Sequence, residues 1–165
     1  MLRPTTPADT RVLVNMTEDT GVFKPIEIEA LQEVLDDYHA INHNYGHLAY
    51  SWINPHTQVP LGFVYYAPTA MTDRTWELWW IVVDKWQQGR GIGKEILEWV
   101  EADVTKQSGR LLLIETSSTP AYVPTRHFYL NAGYTISAEV TDFYSDGDSK
   151  VIYAKRMDAF KNQVV

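Results

Sequence analysis

The chain has no cysteine in its 165 residues. A disulfide framework, a thiolate nucleophile and a zinc–thiolate site are all excluded by that absence. Long apolar runs are missing too: nothing approaches the ~18 residues that span a bilayer as a helix. The first residues, Met1-Leu2-Arg3-Pro4-Thr5-Thr6, lack the apolar stretch of a signal peptide, so no membrane partner is expected and a cytoplasmic location is the default. Positive charge is scarce as well. Fourteen Lys and Arg stand against 21 Asp and Glu, for a formal net charge of −7. Such a surface disfavours phosphate-backbone binding, so no nucleic-acid partner is expected. It is compatible with a cationic substrate. Histidine recurs every fourth residue at His39, His43 and His47, but Gly46 should end the helix before His47. No carboxylate-rich second motif lies nearby, and no metal site is expected. The length fits one domain over residues 1–165, and the 45% hydrophobic content suffices for a core.

What the sequence does have is concentrated between Trp76 and Leu97. Trp76-Glu77-Leu78-Trp79-Trp80-Ile81-Val82-Val83 is nearly all apolar or aromatic, and predicts a central strand covered on both faces. Gly89, Gly91 and Gly93 then alternate, and Ile92, Ile96, Leu97, Val100 and Val104 recur at helical spacing. A strand that feeds a glycine-rich turn and a helix N-terminus makes an anion site. The first helical amides have no partner within the helix, and the helix dipole adds positive charge there. Glycine lets a phosphate approach the backbone without a Cβ in the way. A P-loop is excluded because Glu95 follows Gly93-Lys94 and Gln fills position 88; a dinucleotide fingerprint is excluded by the G-x-G-x-G spacing. The remaining pattern is Gln-x-x-Gly-x-Gly, formed by Gln88, Gly91 and Gly93. The plain alternative is a turn that only joins strand to helix.

Elsewhere the expected order begins with a short edge strand at Met1–Pro4 and a helix capped by Thr6 and Pro7 that runs to about Met16. A second helix from Lys24-Pro25 buries Ala30, Leu31, Val34, Leu35 and Tyr38. His47–Asn54 and Val59–Tyr66 form a hairpin. The long helix spans about Gly89 to Gln107, and a strand follows at Leu111–Glu115. After a polar loop come a short helix at Thr125–Ala132 and strands at Tyr134–Val140 and Lys150–Lys155, joined by a loop at Thr141–Ser149. Helices, a meander and one parallel crossover imply a mixed α/β (α+β) sheet with helices on both faces.

The loop, with the strand before it and the helix after it, resembles the coenzyme-A pyrophosphate loop of the GCN5-related N-acetyltransferase (GNAT) superfamily. Phe128-Tyr129-Leu130-Asn131-Ala132-Gly133-Tyr134 resembles that superfamily's helix bearing Tyr and ending in Gly before the sixth strand. The likeness covers about Leu2 to Arg156. It is closest from Trp76 to Tyr134, and points to an uncharacterised bacterial-type branch. It implies a mostly antiparallel seven-stranded sheet, acetyl-CoA as donor and direct attack by an amine. The cofactor would lie on Gln88, Gly89, Arg90, Gly91, Ile92, Gly93 and Lys94, and on the backbone of Ile81, Val82 and Val83 where the fourth and fifth strands splay. The Asn with which many members touch the cofactor is replaced here near Val123.

The chemistry itself asks for three things. An alkylammonium titrating near ~10 must lose a proton, an oxyanion must be stabilised, and a thiolate of pKa about 8.5 must be protonated. Glu77, expected on one strand face with Trp79, Ile81 and Val83, is the candidate base, its pKa raised among tryptophans. Histone-type members carry their catalytic Glu at the same offset from the loop Gln. The alternative is an exposed or ion-paired strand residue. Tyr129 is the candidate acid; the plain alternative is an aromatic that packs its helix onto the sheet, a task that Phe128 or Leu130 can also perform. The acceptor is a small-molecule or peptide amine of unknown identity. A non-catalytic acyl-CoA-binding module, another acyl group and a hydroxyl acceptor stay open. A homodimer is compatible with exposed aromatics in Asp142-Phe143-Tyr144, which could instead wall a substrate.

Overall fold

A computed structural model of the chain describes residues 1–157. Its seven strands form one sheet in the order β1-β2-β3-β4-β5-β7-β6. The β4–β5 pair is parallel; β1–β2, β2–β3, β5–β7 and β6–β7 are antiparallel. With four helices, this is the mixed, mostly antiparallel α/β sheet expected. Two compact units can be distinguished among the described residues, Met1–Ala67 with Trp79–Trp99, and Pro68–Leu78 with 100–157.

The first unit contains β1 (Leu2–Pro4), α1 (Thr10–Asp19), α2 (Pro25–Ala40), β2 (Leu48–Ile53) and nearly all of β3 (Pro60–Pro68). It also takes the later part of β4 (Thr75–Val83) and the start of α3 (Ile92–Lys106). Asp9 organises the entry to α1: it accepts from Thr6 N–H at 2.8 Å and from both terminal nitrogens of Arg3 at 2.6 and 2.9 Å. A 3-10 turn over Pro7–Asp9 precedes the α-helix, which runs three residues past the expected Met16 to Asp19. Leu13, Met16, Leu31 and Leu35 from the two helices pack on Ala49, Phe63, Tyr65 and Val82. Each such aliphatic side chain contributes about 1.5–3 kcal/mol when fully buried, more than a cap usually does. Ala30 is exposed, contrary to expectation. It lies at the rim of the stripe centred on Leu31 and Leu35, where one methyl gains little from burial.

α3 seats on the strands because Gly62 has no side chain. A Cβ there would stand 3.0 Å from Val82 O and 3.1 Å from Ile96 Cδ1. The helix starts at Ile92 rather than Gly89, since Gly89 (φ +74°) and Gly91 (φ +87°) lie outside helical geometry.

In the second unit the beginning of β4 pairs in parallel with β5 (Leu111–Ser117), and β5 pairs with β7 (Asp148–Arg156). α4 (Val123–Asn131) follows a short 3-10 turn. β6 (Thr135–Ser145) is longer than expected. The segment Thr141–Ser149 is not a loop: only Asp146-Gly147 separates β6 from β7, and Gly147 has φ +80°. Asp-Gly is the pair that two-residue hairpin turns favour. Asp142, at φ +53° inside a register shift between Val140 and Ser145, absorbs the mismatch and accepts from Gly147 N–H at 2.8 Å. Phe143 and Tyr144 therefore stand on a strand, 51% and 44% exposed.

Gly109 ends the α3–β5 connection under tight packing. A Cβ there would press on the Val104 side chain and lie 2.8 Å from Val104 O and 2.9 Å from Trp76 Cδ1. Gly109→Ala should cost about 1–3 kcal/mol, the range for overpacking, and lower the melting temperature. An unchanged melting temperature would show that this contact is slack.

Candidate functional site

The functional stretch begins inside β4. Thr69 N–H donates to Thr75 O, and Asp84 N–H donates to Leu61 O. From Leu61 to Thr69 the β3 side advances eight positions, while the β4 side advances nine from Thr75 to Asp84. The extra residue makes a bulge in β4. Its effect is visible in Trp79 and Trp80, sequence neighbours that would point to opposite faces of a regular strand. Trp79 meets the Tyr65 ring at 5.5 Å, and Trp80 packs on the cluster that holds Tyr65. Glu77, Trp79, Ile81 and Val83 thus do not keep one face along the strand. Nor is the strand covered on both faces: Trp79 is 43% exposed. The parallel ladder with β5 runs from Thr75↔Leu111 only to Leu78↔Ile114. β4 itself continues to Val83, so its later backbone lies beyond that ladder.

The loop after β4 is built from its own hydrogen bonds. Asp84 accepts from Trp86 N–H at 2.9 Å through its side chain, and from Gln87 N–H at 2.8 Å through its carbonyl. Gln88 Nε2 donates to Val83 O at 3.1 Å, which ties the loop to the end of the strand. Arg90 Nη1 donates to Gln87 Oε1 at 3.2 Å. Gln88, Gly89, Arg90 and Gly91 are exposed. Gly89 and Gly91 are glycines because of their positive φ, and a Cβ at either meets nothing within 4 Å. That sets them apart from Gly62 and Gly109, where protein atoms claim the space. Gly93 lies in the first turn of α3 and Lys94 beside it is exposed, 3.7 Å from Glu98. The result is a bare backbone cradle at a helix N-terminus with Arg90 and Lys94 close in sequence. These residues fit a pyrophosphate. Val82 is buried in the core, while Ile81 and Val83 are half-buried.

In the second unit Glu77 is half-buried opposite Leu113 of β5. Tyr129 is 3% exposed, the buried residue of α4, while Leu130 is 45% exposed. Of the two residues expected to be able to pack the helix, Leu130 points out and Phe128 is half-buried against Tyr129; Tyr129 itself also packs, its ring 6.0 Å from Tyr134 and 5.7 Å from Tyr153. Burial, and then the neighbouring Tyr153, push its phenol well above the ordinary value. Arg126 Nη1 fixes the start of α4 by donating to Ser117 O at 2.8 Å and Thr119 O at 2.9 Å. Among the described residues no group of three or more His, Asp or Glu could hold a metal ion.

Comparison with known proteins gives the family of the chain. The model of the acetyltransferase (GNAT) domain matches residues 47–136. A protein from Desulfovibrio desulfuricans assigned to the GNAT family of acetyltransferases is 34% identical, with 95% of this chain and 98% of that chain covered and a TM-score of 0.89. The chain belongs to the GNAT acetyltransferase family. It is thus an acetyl-CoA-dependent N-acetyltransferase. Its fold also matches an aminoglycoside 6'-N-acetyltransferase solved with coenzyme A (17% identity, 95% and 97% covered, TM-score 0.73). Ard1 from Thermoplasma volcanium matches similarly (14% identity, 94% and 96% covered, TM-score 0.74). A search of curated sequences found no match. No helix among the described residues is long and apolar enough to cross a membrane.

One group of the acetyltransferase escaped sequence reasoning. His47 Nδ1 and Tyr65 Oη share a 2.6 Å hydrogen bond. The sequence reading set His47 at the start of a strand and carried no sign of this bond; the structure places it just before β2.

Four tyrosines, Tyr65, Tyr129, Tyr134 and Tyr153, have phenols raised chiefly by burial, Tyr65 to about 12. A phenol raised in the folded state gives stability that is full below its unfolded value near ~10, and that is lost as pH climbs toward the folded value. The melting temperature should therefore fall steeply above about pH 10. Absorbance at the phenolate band should show a group of tyrosines that ionise only as the fold is lost. Reversible titration of every tyrosine near pH 10 in a folded protein would contradict this.

Proposed function

We propose that the protein acts as one acetyltransferase domain over residues 1–165, passing acetyl to an amine of a small molecule or peptide by direct attack in a ternary complex. The observation that carries this is the cradle at Gly89–Gly93, open where a Cβ would meet no protein atom. Acetyl-CoA supplies the activated acetyl group as a thioester. The chain's work is to hold, orient and move protons. Backbone amides from Gln88 to Lys94, with Arg90, hold the pyrophosphate. The backbone of Ile81, Val82 and Val83 orients the pantetheine arm. The bulge supports that role, because a bulged strand breaks its ladder and frees backbone groups. The Glu77 carboxylate takes the proton of the amine, directly or through a water. The Tyr129 hydroxyl would give a hydrogen bond, and finally its proton, to the departing sulfur, the phenol being restored by the proton that Glu77 took from the amine. Burial keeps the phenol protonated until then, though it makes it a weaker acid.

Two substitutions test the reading. Gly91→Val should lose about 1–2 kcal/mol from left-handed strain and also lose the rise in melting temperature that coenzyme A gives. Gly21→Val puts the same residue at φ +70° in equally open space, and should keep that rise. Equal shifts in both variants would remove the cradle assignment. Tyr129→Phe keeps the ring, and should lower turnover by roughly 10²-fold at little cost in coenzyme-A affinity. Unaltered turnover would leave Tyr129 with packing alone.

With Glu77→Gln, the loss in kcat/KM should be largest near neutrality and shrink as pH approaches the amine's own pKa, where free amine needs no base. Parallel pH profiles for the two proteins would make Glu77 a positioning residue instead.

A further inference from the structure

Trp79 sits on a central strand, where an indole is ordinarily covered, and yet it is 43% exposed. It is not loosely held. The His47 ring meets it edge-on at 5.4 Å and the Tyr65 ring lies at 5.5 Å. His47 and Tyr65 are locked to each other by their 2.6 Å hydrogen bond, and Tyr38 braces Tyr65 at 5.8 Å. Tyr65 is fully buried, so the pair forms a rigid wall beside an indole that stays open to solvent.

The carboxylates of α2, the helix that braces this wall through Tyr38, face no Lys or Arg on their own helix. Burial lowers His47 below its ordinary value, so its ring is neutral at pH 7. α2 carries Glu27, Glu29, Glu33, Asp36 and Asp37, and no Lys or Arg. Asp36 and Asp37 lie toward its C-terminal end, where a helix disfavours negative charge, and the field of Asp37 reaches the Tyr65 hydroxyl. Asp36 is held on the helix by Gln32 Nε2 at 2.9 Å; no such helix partner accounts for the place of Asp37 beside Tyr65. A neutral aromatic corner beside an acidic helix end is the setting in which an indole attracts a cation.

We propose that Trp79, walled by His47 and Tyr65, is the subsite where the acceptor is received as an alkylammonium ion over the indole. This deepens the acetyltransfer reading and rests on it for the word acceptor, but the binding itself is independent. Trp79 is then a specificity residue: it selects acceptors that carry a cation and discriminates against neutral analogues of the same shape.

The test uses the full chain saturated with coenzyme A and two probes. Choline is a cation that has no amine to acetylate, and 3,3-dimethylbutan-1-ol is its neutral counterpart. Saturation-transfer NMR should detect choline and not the alcohol. Trp79→Phe should weaken choline binding, and Trp79→Leu should weaken it further, by about fivefold or more relative to the unaltered protein. Trp86→Leu, which removes an indole 75% exposed elsewhere, should leave it unchanged. Melting curves establish that each variant is folded. The proposal is overturned if choline gives no signal, if the alcohol gives as much, or if Trp79→Leu binds choline as the unaltered protein does. A protein that binds choline through Trp79 but shows no melting shift with coenzyme A would keep this subsite and sink the acetyltransfer reading.

Discussion

The first amides of an α-helix cannot be satisfied by the helix itself. In this protein that constraint falls at Ile92, immediately after a loop whose Gly89 and Gly91 hold left-handed backbone angles and present no Cβ. Everything near it serves to fix where those amides point. Gln88 ties the loop to Val83, Asp84 closes its first turn, and the bare Gly62 lets Ile92 and Ile96 seat α3 on the strands. Without Gly62 the helix would have to lift, and the amides would move with it.

The bulge in β4 is the second element. One additional residue between Thr75 and Asp84 turns a plain central strand into one with a reversed alternation. It brings Trp79 to Tyr65 and leaves the indole partly in solvent. Side-chain period is two, so a single inserted residue exchanges the faces of all that follows. A strand that looks fully apolar in sequence is therefore neither uniformly buried nor uniformly faced.

Much of this was legible beforehand, and the reasons differ by element. The apolar run from Trp76 and the alternating glycines announced strand, loop and helix, because few residue patterns satisfy all three periodicities together. The start of α3 was misplaced since spacing alone does not reveal which glycine turns left-handed. The segment after Val140 read as a loop because it is polar, although Asp146-Gly147 was its true turn. The sequence left open whether Tyr129 packs its helix, because helical position does not tell which of three neighbouring aromatic or aliphatic residues points inward; in α4 it is Tyr129, with Leu130 outward. The His47–Tyr65 bond joins residues eighteen apart, a pairing that only the register of β2 on β3 decides.

Receipt of a pyrophosphate by the loop amides is what the rest depends on. Amide-resolved NMR during titration with coenzyme A tests it most directly, with pantetheine, which lacks the pyrophosphate, as the comparison. Large shifts are expected at Gly89, Gly91, Ile92 and Gly93 with coenzyme A, and little change there with pantetheine. If those amides stay in place while coenzyme A binds, or respond equally to pantetheine, the pyrophosphate lies elsewhere and the claim is wrong.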